Sequence, residues 1–135
     1  MKTKPCLTLA DAKTIAAASE AEARKNGWNV VISVLDDGGH LVFLQRMDGV
    51  QLGSVEVSQA KGRTALLFKR PTKAIEDAVA GGRATMMTLP GATPIEGGVP
   101  IVWQGEVVGA VGVSGVQSHE DAQIARAGAE AVGKA

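Results

Sequence analysis

The chain has no tyrosine, and only two phenylalanines and two tryptophans, in 135 residues. Single-stranded nucleic acid is held by stacking aromatics inside a positively charged groove. Neither feature is present, since 14 Lys and Arg balance 14 Asp and Glu, and no nucleic-acid partner is expected. The lone Cys6 cannot close an internal disulfide, so the core must hold the fold and a reducing, cytoplasmic setting is expected. Apolar runs are short, none nearing the roughly 20 residues that cross a bilayer, and no membrane segment or secretory leader is read. Two His and one Cys are too few for a closed Cys/His zinc site, and no metal is expected.

What is present reads as one domain over 1–135, of a size that buries a real core. TLADAKTIAAASEAEARKNG opens with Thr8 and Asp11 in capping-box spacing and closes on Asn26-Gly27, which predicts a helix. NVVISVLD and HLVFLQRM are β-branched runs joined by Asp36-Asp37-Gly38-Gly39, a hairpin whose first strand is apolar on both faces. GSVEVSQAKGRTALLFK predicts a second helix with Val57, Ala60, Thr64, Leu67 and Phe68 on its apolar stripe. TKAIEDAVA predicts a short one capped by Thr72.

After an irregular segment rich in Gly, Pro and Thr, PIVWQ and VVGAVGVSG form a second hairpin. On its long strand Val107, Gly109, Val111 and Val113 are expected on one face. Val108, Ala110, Gly112 and Ser114 take the other, which tapers to no side chain at Gly112. SHEDAQIARAGAEAVGK closes the fold as a helix with Ser118 and Asp121 in capping-box spacing. A fifth strand is expected around Met86 to Leu89. The fold class is α/β (α+β), a central antiparallel sheet of about five strands flanked by helices.

Chemistry-bearing residues gather in few places. Asp36, Asp37 and His40 offer carboxylate and imidazole, but acids before Gly-Gly are also what a hairpin tip needs. His40 suits a general base, an iron ligand or a solvated turn histidine. Arg46 and Asp48 flank Met47; Arg46 suits a bidentate clamp on a carboxylate with Asp48 orienting it, or the two close the strand as an ion pair. Lys61 and Thr64 share a helix face, from which Lys61 would hold an anion, act as a base or stand in solvent. Glu96-Gly97-Gly98 lets backbone amides approach a ligand or a neighbouring chain. Arg83, His119 and the methionines Met47, Met86 and Met87 are weaker candidates.

Four stretches, VLDDGGHLVFLQRMDG at 34–49, SQAKGRTALLFKRPT at 58–72, IEGGVPIVWQGEVVGAVGVSG at 95–115 and EDAQIARAG at 120–128, run in the order of a known family. Through them the chain resembles the GlcG/HbpS family, also called haem-degrading or DUF336, which includes the C-terminal domain of PduO-type proteins. The resemblance implies a profilin-like fold and assembly into homo-oligomers, often octamers. It also implies haem as a cofactor in some members. Those members place a histidine on the first helix, and the segment from Thr8 to Asn26 has none.

Three functions stay open at this point. One is a cytoplasmic, oligomeric binder of haem or an anionic metabolite, with Arg46, Asp48, Lys61, Thr64, Glu96, Gly97 and Gly98 at the ligand. Another is a lyase, isomerase or hydrolase on a carboxylate or carbonyl compound with His40 or Asp36 as acid or base. The third is a purely structural subunit.

Overall fold

The computed structural model describes residues 1–132. Strands β1 (Val31–Asp36), β2 (Leu41–Arg46), β3 (Gly98–Trp103) and β4 (Glu106–Ser114) form one antiparallel sheet in the order β2-β1-β4-β3. Helices α1 (Leu9–Lys25) and α4 (Ser118–Ala129) lie on one face. Helix α2 (Ser54–Phe68) lies on the other, followed by α3 (Thr72–Ala80). The α+β class stands, with four strands rather than five. The segment expected as the fifth is a short 3₁₀ helix, Ala84–Thr88, because it is hemmed between Gly81-Gly82 and Pro90-Gly91 and lacks a β-branched alternation.

The two faces of the sheet are built differently. Toward α1 and α4, Ile32, Val34, Val99, Ile101, Val111 and Val113 meet Ala12, Ile15, Ala16, Ile124 and Ala125 in the main core. Each fully buried Ile or Val there is worth about 1.5–3 kcal/mol of transfer free energy. Toward α2 the sheet presents Ser33, Gly112 and Ser114, and the helix answers with Ser58, Gly62 and Ser54. Serine hydroxyls pair across this seam, Ser33 with Ser58 at 2.8 Å and Ser114 with Ser54 at 3.0 Å. A Cβ at Gly112 would run into the Ser58 carbonyl and the Gly62 amide, so the tapered face serves close helix packing.

That close approach overturns the expected apolar stripe of α2. The helix buries Ser54, Ser58, Lys61, Gly62, Thr64, Ala65 and Leu66, while Leu67 is half exposed. Against Gly112 itself only the small Ser58 and Gly62 fit, while Leu66 packs further along β4 beside Ala110. Along β4, an irregularity between Ile101 and Val102 pairs them with Gly109 and Val107, leaving Val108 as the extra residue. Val108 therefore joins the main core and Val107 packs on the α2 side, the reverse of the expected alternation.

The caps shift as well. Thr8 and Asp11 form the expected capping box. At α4 the cap is Gln117, paired with Glu120, and Asp121 turns inward instead. Thr72 is the first residue of α3, its hydroxyl accepting from the Gly98 amide at 2.9 Å. The last residues of the expected final helix, 133–134, lie outside the described residues.

Candidate functional site

At the β1–β2 turn the Asp36 carboxylate organises the backbone. Its Oδ1 accepts from the Gly38 and His40 amides, each at 2.9 Å, while Gly39 takes the left-handed conformation at φ 83°. His40 Nδ1 stands 3.5 Å from the same Oδ1, with the imidazole 83% exposed. Burial pushes the Asp36 carboxyl up, but the two amides and the imidazole outweigh it and hold it below the usual carboxylate range. Asp36 is thus turn chemistry first, and in holding the turn it also backs one nitrogen of His40. The other nitrogen, Nε2, is left facing outward. Asp37 is engaged by Lys4 at 2.5 Å.

Arg63 completes this end. Its Cγ lies 3.6 Å from where a Gly39 Cβ would stand, and its exposed guanidinium makes no ion pair among the described residues. Arg63 was absent from the residues expected at the site. The signal was available in the helical period, since two positions from Lys61 is nearly the opposite face.

The opposite end of the sheet holds the other expected residues and seals most of them. Lys61 is 3% exposed and reaches past the sheet to Asp121 of α4, 2% exposed, at 2.8 Å, and donates to the Val113 carbonyl at 3.1 Å. Asp121 Oδ1 accepts from the Val116 amide. Burial raises the Asp121 carboxyl above its ordinary range, opposed by its bonds to Lys61 and Val116. Gly97 lies against this pair at φ 134°, where a Cβ would come within 2.8 Å of Lys61 Nζ. Lys61 thus serves neither as a solvent-facing clamp nor as a solvated lysine. The period put it off the apolar stripe, and its partner lies 60 residues away.

The remaining expected residues scatter. Thr64 is buried and holds the irregular loop, its hydroxyl donating to Ala60 and accepting from the Thr93 amide. Gly98 is bound to Thr72, and Glu96 sits 3.8 Å from Lys73. Arg46 and Asp48 are exposed at the end of β2 and make no ion pair with each other, while Met47 between them is core at 5% exposure. His40 and Arg46 are six residues apart along a strand, about 20 Å, so one small ligand cannot touch both. Arg83, His119 and Met87 are exposed. Among the described residues no three His, Cys, Asp or Glu side chains gather as a metal cluster. No described helix is long and apolar enough to cross a membrane.

A four-stranded antiparallel sheet between helical layers, with its acid–imidazole pair on an exposed hairpin, defines a small α+β domain whose accessible polar chemistry lies at strand ends. Residues 7–130 match the family described as haem degrading protein HbpS-like, and the chain belongs to that family. It is similar to protein GlcG of Escherichia coli K12, 50% identical over 114 residues that cover 84% of this chain and 85% of that one. Its structure is similar to a double mutant of HbpS from Streptomyces reticuli, with a TM-score of 0.90, 31% identity, and 98% and 91% of the two chains covered. It is also similar to a PduOC:heme complex, with a TM-score of 0.85, 25% identity and 96% of each chain covered.

Proposed function

We propose that this protein is a cytoplasmic, homo-oligomeric binder of a small ligand, haem foremost, and that His40 is the residue presented to it. The observation that carries this is the exposed imidazole whose Nδ1 is backed by Asp36, leaving Nε2 open. Iron-ligating histidines are oriented by a carboxylate in this way. The donor set would fit a haem at the surface: His40 would hold the iron and the exposed Arg63 would pair with a propionate. Bound haem would supply a redox-active iron. The family to which the chain belongs and the haem-containing PduOC neighbour support the same reading. Half-exposed Leu41 on edge strand β2 and Val102 on edge strand β3 support association with further copies, and the family resemblance alone suggests octamers. Arg46 and Asp48, exposed at the far end of β2, suit contact with a separate anionic ligand or with a neighbouring copy.

Hemin titrated into the purified protein tests this. A saturable Soret shift that falls at least tenfold in affinity in His40→Ala is the expected result. No shift at stoichiometric hemin removes haem.

A second reading rests on the same pair. An imidazole backed by a carboxylate is also a general base, and with Arg63 as clamp it would act on a carboxylate or carbonyl compound. Turnover of such a compound that survives both His40→Ala and Asp36→Asn would overturn those roles.

A further inference from the structure

A cavity of about 300 Å³ opens on the α1 side, between the N-terminal segment, the first turns of α1, the β3–β4 hairpin and the end of α4. It contains neither the Asp36–His40 pair nor the Lys61–Asp121 pair. Leu7, Ile15, Trp103 and Val108 line it, Ile15 and Val108 being 1% and 3% exposed. Apolar residues of this kind, with an indole among them, suit a flat hydrocarbon body. A dry apolar cavity of roughly 150 Å³ already takes up benzene, so this one has room for a ring with a short chain.

Cys6, Asp11 and Thr14 add the polar groups. Asp11 is the only charged residue among the described lining residues. Its Oδ2 accepts from the Thr8 amide, and that bond together with the Thr8 hydroxyl holds the carboxyl below its ordinary range. Its Oδ1 has no donor among the described residues. The Thr14 hydroxyl donates to the Ala10 carbonyl, which leaves its lone pairs to accept. These polar groups offer acceptors and a negative charge, and no described basic side chain lines the cavity.

We propose that this cavity binds a small amphipathic cation, an aromatic or short aliphatic amine whose ring lies against Trp103 and whose ammonium meets Asp11. This ligand is opposite in charge to the anion expected at the hairpin end, so the two sites are separable.

The test uses phenethylamine and its carboxylate counterpart, 3-phenylpropanoate. The readout is the indole N–H signals of Trp103 and Trp28 by two-dimensional NMR, assigned with Trp28→Phe. Phenethylamine is expected to shift Trp103 saturably and leave Trp28 in place, with the acid at least tenfold weaker. Asp11→Asn, which keeps the cap, should cut amine affinity about fivefold and leave the acid unchanged. Alkylating Cys6 in the wild-type chain should abolish the shift without any change of sequence. No saturable shift, equal affinity for amine and acid, or undiminished binding after alkylation would each overturn the proposal. A hemin titration unchanged by phenethylamine keeps this outcome apart from that for the hairpin site.

Discussion

At one end of the sheet Asp36 faces an imidazole that is 83% exposed, and at the other Asp121 faces an ammonium that is 3% exposed. Both pairs join an acid to a nitrogen base, and both acids also accept backbone amides. What differs is the cover. The His40 imidazole at the hairpin tip stands in solvent, with only Lys4 on the neighbouring Asp37, whereas Lys61 and Asp121 are enclosed by α2, α4, Gly97 and the end of β4. A charge removed from water must be fully paired, while one left in water is free to meet a ligand. The same residue types thus lock two layers at one end and stay accessible at the other.

The comparison can be broken hardest at the buried end. Lys61→Met leaves Asp121 enclosed without its cation and is expected to cost about 3–5 kcal/mol in denaturant unfolding. Adding Asp121→Leu should recover most of that loss, because the uncompensated carboxylate, rather than the missing bond, carries the cost. A double variant as unstable as the single one would show that geometry at Gly97 matters more than charge.

At the open end His40→Ala is expected to change stability by no more than about 0.5 kcal/mol, as for an exposed side chain. A larger loss would make His40 part of the turn rather than a presented group.

The smallest effect is the most specific. Because the Asp36 carboxyl is held below its ordinary range, its ionised form contributes stability that is present above the unfolded-state value of about 3.9. That contribution is lost as the pH falls through the lower folded-state value. Asp36→Asn should therefore lie below wild type at neutral pH, with the gap closing on acidification below about pH 4. A gap that widens as the pH falls would reverse the sign of the argument. Denaturant unfolding from pH 7 downward reads it.

Much of the architecture is written in local pattern. The Thr8–Asp11 box, the β-branched pairs of strands and the Asp-Asp-Gly-Gly turn are decided by neighbours a few residues apart, and each appears as expected. Gly112 likewise marked a close approach before any partner was known. Of the candidate site, the Asp36–His40 pair was legible because its two members share one turn.

The rest depended on groups far apart in the chain. No periodicity could show that Lys61 would be buried, since what permits it is Asp121 60 positions later and the bare backbone of Gly97. The extra residue that exchanges the faces of Val107 and Val108 arises from pairing with β3, and the polar stripe buried by α2 arises from the glycine strand beneath it. The sequence by itself determined the four α-helices, the two hairpins and the turn chemistry of the first, because those rest on short-range sterics and hydrogen bonds. Only the tertiary structure decided which charges are sealed, which are presented, and that a cavity with a single acid opens beside Trp103, because burial is a property of everything packed around a residue.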